Sequence, residues 1–159
     1  MKTLIFYATR SGNTFKVAKA MADALRPAGP VDVISVEAGV GAITDDVDLI
    51  LVGGPTEGHG MTPQVEAFLD GMPALAGHNA AAFDTRLNWP RWASGSAAAG
   101  IRARLEESGA RRPVPSASFI VSMTPEIEPG ELQRAAEWAS NLAGKLHPSP
   151  VAEPIGGAR

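Results

Sequence analysis

The chain has 159 residues, 45% of them hydrophobic and 19% charged, and a formal net charge of -3. This is the composition of one ordinary globular domain with a core of its own, and the mild negative charge argues against nucleic acid as a main partner. There is no cysteine, which excludes disulfides, thiolate metal sites, iron–sulfur clusters and thiol nucleophiles. No apolar run reaches the ~18 residues that a membrane span needs. The start "MKTLIFYATRSGNT" has one lysine and too short an apolar stretch for a secretory signal, so the chain reads as cytoplasmic.

"TLIFYA" (3–8) is a continuous apolar run, the pattern of a strand buried on both faces. "NTFKVAKAMADAL" follows, with Phe15, Ala18, Met21, Ala22 and Leu25 at helical spacing, and Pro27 and Gly29 stop it. "VDVISVE" (31–37) is β-branched and reads as a second strand. The glycine-rich segment 38–46 predicts an irregular crossover. "VDLILVGG" (47–54) is a third strand. In "TPQVEAFLDGM", Thr62 is a fit N-cap, Pro63 suits the first helical position, and Val65, Phe68, Leu69 and Met72 form one stripe.

"NAAAFDT" is a short strand, assigned mainly from its place in the alternation. "SGSAAAGIRARLEESG" puts Ala98, Ile101 and Leu105 on one helical face, and "SASFIVSM" (116–123) is a fifth strand. "PGELQRAAEWASNLAGKL" carries Leu132, Ala135, Ala136, Ala139, Leu142, Ala143 and Leu146 in register. "HPSPVAEPIGGAR" has no period and reads as a flexible C-terminal tail over 147–159, after a single domain over 1–146. Five strand–helix alternations predict an α/β fold, a parallel sheet with helices on both faces.

In such a sheet, ligands bind outside the carboxyl ends of the strands. The loop of Thr9, Arg10, Ser11, Gly12, Asn13 and Thr14 joins a strand to a helix N-terminus, where unpaired N–H groups, hydroxyls and a side-chain amide can hold an anion. The same residues also suit a ligand-free turn capped by serine or asparagine. No lysine is present and neither G-x-x-x-x-G-K-S/T nor G-x-G-x-x-G occurs there, so this is neither a nucleoside-triphosphate loop nor the dinucleotide fingerprint.

"ATRSGNT" after the first strand resembles the phosphate loop of flavodoxins, T/S-x-T/S-G-x-T, with Thr9, Ser11, Gly12 and Thr14 matching position by position. "LILVGGPTEGHG" is similar to that family's third strand and flavin-contacting loop. The resemblance covers the chain to about Leu146. It implies a flavodoxin-like three-layer sandwich of strand order 2-1-3-4-5, with flavin mononucleotide (FMN) as cofactor.

By this resemblance the second loop (Pro55, Thr56, Glu57, Gly58, His59, Gly60) lies along the flavin. A glycine peptide there can turn when flavin N5 gains a proton; Gly58 is the first choice and Gly60 the second. The alternative is a tight turn needing positive φ. Thr56 would meet the flavin edge, and His59 either lies near the ring or is a solvated loop residue. The third loop, with Thr85, Arg86, Leu87, Trp89 and Trp92, departs from the family pattern. Either tryptophan can stack on the ring, Trp89 being the first choice and Trp92 the second; the alternative for each is a packing residue under a long loop. Arg86 and Arg91 bring positive charge where the family tends to be acidic, which suggests a milder potential or an anionic substrate or partner.

The resemblance implies a redox protein passing electrons to partner proteins, without metal, membrane or nucleic acid and with no catalytic residue singled out. A flavin-dependent NAD(P)H:quinone-type oxidoreductase on the same fold is the alternative. A response-regulator receiver shares the topology, but "FYATRS" lacks the acidic cluster such a domain needs at the end of strand one.

Overall fold

The computed structural model describes residues 1–147, so the expected tail, His147 apart, lies outside the described residues. Five strands, β1 (Thr3–Tyr7), β2 (Val31–Ser35), β3 (Leu49–Pro55), β4 (Asn79–Leu87) and β5 (Ala117–Val121), form one sheet. All pairings are parallel and the order is β2-β1-β3-β4-β5. The helices are α1 (Asn13–Leu25), α2 (Pro63–Asp70), the single turn α3 (Arg91–Ser94), α4 (Ala97–Glu107) and α5 (Glu131–Leu146). The chain is thus α/β with the 2-1-3-4-5 order that the resemblance implied.

The apolar strand runs are buried on both sides because side chains alternate across the sheet. Leu4, Phe6, Ile50, Val52, Ala80 and Ala82 meet Val65, Phe68 and Leu69 of α2 and Ile101 and Leu105 of α4. Ile5, Leu49, Leu51, Ala81, Phe83 and Phe119 meet Val17, Met21 and Leu25 of α1 and Ala139 and Leu142 of α5. Gly53 is the β3 partner of Phe83 in the ladder, and a β-carbon there would stand 2.2 Å from the Phe83 ring. A glycine at this point is what admits the ring beside the strand.

Some local expectations shift. The α1 stripe buries Val17 and leaves Phe15 41% exposed, because packing against α5 and the sheet, not spacing alone, sets which face turns inward. Phe15 instead tilts against Tyr7, ring centroids 5.1 Å apart. Leu132 also stays partly exposed on α5. Thr62 caps α2 as read, its hydroxyl accepting from Val65 N, with Pro63 following. β4 is the longest strand, nine residues through Arg86 and Leu87, because β3 on one side and β5 on the other take up its backbone groups. Segment 36–48 is a short 3-10 turn and irregular chain, as the glycines suggested.

The β5 edge is closed by its own chain. Ile120 N donates to the Glu131 carboxylate at 2.7 Å, Glu128 N donates to Ile120 O at 3.0 Å, and the Arg134 guanidinium donates to Ser118 O. These contacts remove the free backbone groups by which an edge strand recruits another chain.

Candidate functional site

The strand order reverses between β1 and β3, so the loops leaving their carboxyl ends diverge and open a crevice. Thr9 to Asn13 form its first wall. Gly12 caps α1 with φ 89. Its N–H donates to Thr9 Oγ1 at 2.9 Å, and its carbonyl accepts from Lys16 N. The amides of Asn13, Thr14 and Phe15 precede that first helical bond and have no acceptor within the helix. Asn13 spends its side-chain hydrogens on Ser11 Oγ at 3.2 Å and Pro125 O at 2.8 Å, tying this loop to the one after β5.

Thr14 and Thr85 are both buried, and their hydroxyl oxygens lie 2.9 Å apart. One hydroxyl hydrogen of that pair is used between them and the other is left over. Thr9 and Ser11 likewise act as acceptors inside the protein, which keeps their own O–H groups available as donors. The arrangement suits an oxyanion: hydroxyl donors and free helix amides at the positive end of α1, without lysine.

The second wall is a tight hairpin. Glu57 and Gly60 exchange two backbone hydrogen bonds, N to O at 2.9 and 3.1 Å, and the two residues between them, Gly58 (φ 53) and His59 (φ 70), are left-handed. Only Gly58 takes that conformation without strain; for His59 it costs on the order of 1 kcal/mol. The His59 backbone bridges to Gly95, where a β-carbon would come within 2.0 Å of the His59 carbonyl oxygen. Loops two and three therefore pack backbone to backbone. Gly60 is not among the left-handed residues. Glu57 also pairs with Arg10 at 3.1 Å, joining loops one and two.

Between this hairpin and the loop after β4 lies a slot of about 200 Å³, lined by Thr56, Gly58, His59, Arg86, Leu87 and Trp89, with Ala93 and Ser94 closing it. Trp89 is half-exposed at 49%, and Trp92, on the α3 turn, is 87% exposed and outside this lining. Arg86 donates from Nη1 to Trp89 O at 2.8 Å, so the guanidinium braces the tryptophan segment. Thr9, Arg10, Pro55 and Glu57 face a separate groove with Thr62, Pro63 and Gln64 on the far side of the hairpin.

One organising residue escaped the sequence reading. Asp84 is fully buried in β4. Its Oδ2 accepts from Thr56 Oγ1 at 3.1 Å, Ser96 Oγ at 2.8 Å and Ala98 N at 2.9 Å. Thr56 Oγ1 in turn accepts from Ala97 N at 2.9 Å. One carboxylate thus pins loop two to the N-terminus of α4, where its charge also meets the favourable helix dipole. The available signal was a lone acid inside the alanine-rich strand "NAAAFDT": a charge in an apolar run ahead of a ligand loop needs a reason.

A family model described as Flavodoxin domain matches residues 4–120. The chain belongs to the flavodoxin family. Solved structures similar to this flavodoxin-family chain include a flavodoxin from the domain Archaea, with TM-score 0.71 and 22% identity, covering 92% of this chain and 99% of that one. A flavodoxin of Streptococcus pneumoniae gives TM-score 0.73 at 19% identity, covering 91% of this chain and 99% of that one. Oxidised Flavodoxin 2 from Bacillus cereus gives 0.68 at 24%, covering 92% and 97%. No curated protein matches the chain. Among the described residues no helix is long and apolar enough to cross a membrane, and no group of three or more His, Asp or Glu is placed to hold a metal ion.

Proposed function

We propose that this flavodoxin-family chain binds FMN non-covalently and serves as an electron carrier to partner proteins. The observation that carries the reading is the meeting of two complementary half-sites at the β1/β3 reversal. One is an anion-ready helix terminus, the other an aromatic-rimmed slot, and the buried Thr14–Thr85 contact joins their bases at 2.9 Å. FMN, when bound, supplies the electron chemistry; the protein supplies position and electrostatics.

In this reading Thr9, Ser11 and Thr14 donate hydroxyl hydrogens to the phosphate, and the first-turn amides of α1 share its charge. Gly12 lets the backbone approach closely. Arg10 is already paired with Glu57, so the helix terminus and hydroxyls carry the charge recognition. Trp89 covers one face of the ring and excludes water there. Gly58 offers the peptide that can turn toward the N5 edge at least cost, and Asp84 holds the walls together from behind.

The test is a titration of FMN into flavin-free protein, followed by flavin fluorescence. Saturable quenching is expected. Ser11→Ala and Thr14→Ala each delete a charge-assisted hydrogen bond, a loss of about 1.5–3 kcal/mol, or roughly 10- to 150-fold in affinity. Binding by both variants at the parent's affinity would place the phosphate elsewhere and remove the basis of the reading.

A further inference from the structure

A second cavity, of about 500 Å³, opens beside the slot along the outer part of the sheet. Its lining includes Arg86, Arg91, Arg134, Ser116, Ser118 and Trp138, and contains no acidic residue. Three guanidinium groups around one cavity run against the chain's overall charge of -3. Arg134 is neutralised from behind by Glu131 at 2.7 Å, and its cation lies 4.6 Å from the Phe119 ring centroid. Among the described residues Arg86 and Arg91 pair with no carboxylate. Asp84, two residues before Arg86 and so on the same sheet face, has its Oδ2 committed to Thr56, Ser96 and Ala98, while its Oδ1 is buried without a partner and stays outside the cavity lining.

Two polar atoms of this lining, Arg86 Nε and Ser118 Oγ, are buried without a hydrogen-bond partner. Such groups cost free energy unless something satisfies them. Arg86 lines both cavities, so whatever occupies the second lies next to the slot.

We propose that this cavity binds a small organic anion through its carboxylate or phosphate group. Arg91 supplies the forked N–H donors that fit such oxyanions, Arg86, whose Nη1 is held by Trp89 O, adds its charge and remaining N–H groups, Ser118 adds a hydroxyl, and Trp138 offers an apolar wall for the body of the molecule. Anion binding stands on these residues alone; its use as the seat of an electron donor or acceptor rests on the FMN reading.

The experiment is a citrate titration of ¹⁵N-labelled protein, with and without FMN, at constant ionic strength, repeated with inorganic phosphate as a body-free probe. Saturable shifts are expected at the Ser116 and Ser118 amides and the Trp138 indole N–H, with citrate tighter than phosphate. Arg91 is exposed, and Arg91→Ala should weaken citrate about tenfold or more while leaving FMN affinity unchanged. Ser118→Ala should weaken it several-fold, whereas Lys19→Ala on α1, a control for net charge, should not. Parent-like citrate binding in Arg91→Ala, shifts that never saturate, or shifts confined to Thr9–Thr14 would each overturn the proposal. Saturation at the cavity in a protein that fails to bind FMN would uphold the anion site and remove only the FMN reading.

Discussion

Asp84 shows how much one side chain can decide. Three donors from two segments converge on one oxygen, while Oδ1 is buried without a partner. Asp84→Ala orphans Thr56 Oγ1, Ser96 Oγ and the Ala98 amide, and should cost at least about 1–3 kcal/mol of stability. Asp84→Asn keeps an acceptor oxygen of the same shape for these three donors. We expect it to stay near the parent in urea midpoint and to keep FMN affinity, with Asp84→Ala losing both. Equal losses in the two variants would mean that charge, not donor satisfaction, is what Asp84 contributes.

The two loop tryptophans separate in the same way. Trp89 lines the slot and Trp92 is 87% exposed. Trp89→Ala should weaken FMN binding and restore emission from flavin still bound, with stacking contributing about 0.5–1.5 kcal/mol beyond area burial. Trp92→Ala should be silent, and a reversed outcome in the fluorescence titration would assign the stacking role to Trp92.

At the scale of elements, the Glu131–Arg134 clamp is the most exposed to chemistry. The Arg134 hydrogen bond, the Ile120 N–H and the Arg134 charge together outweigh burial and hold the Glu131 carboxyl below its ordinary 4.5. Arg134 is pushed further upward by the same partner and stays charged throughout, so it adds no pH dependence. For Glu131 the folded value is the depressed one. Its contribution is therefore complete above about pH 4.5 and is lost as pH falls through the folded value. Glu131→Gln should be less stable than the parent at pH 7, and the gap should close below about pH 4.5, as read by thermal melts across that range. Glu131→Ala, which removes the acceptor of Ile120 N on the β5 edge, should self-associate more readily than the parent.

For the whole molecule, ligand and fold are linked because the site is built from three loops that only the folded sheet brings together. FMN at 100 times its dissociation constant should add about 2.7 kcal/mol. For a domain of this size that is a rise in melting temperature of roughly 5–11 °C, visible in a melt at graded FMN concentrations. Riboflavin, which lacks the phosphate, should shift the melt far less, since it leaves the α1 terminus and its hydroxyls unused. Equal shifts would mean that the phosphate loop takes no part.

What the sequence determined by itself is whatever is local in the chain. The loop of residues 9–14 joins one strand end to one helix start, so the pattern that resembles a flavodoxin phosphate loop stands contiguous in "ATRSGNT". The Thr62–Pro63 helix start and the two-sided apolar strands are legible for the same reason. Tertiary structure decided whatever joins distant segments. Val17 replaced Phe15 in the α1 stripe because α5 packs there. β4 ran on through Arg86 and Leu87 because neighbouring strands took up their backbone groups. Asp84 gained its role from Thr56 and Ser96, 28 and 12 residues away, and Gly95 from a backbone 36 positions earlier at His59. Periodicity reports which faces are apolar, but a hydrogen bond between loops depends on the three-dimensional path that brings them together, and no local pattern encodes that path.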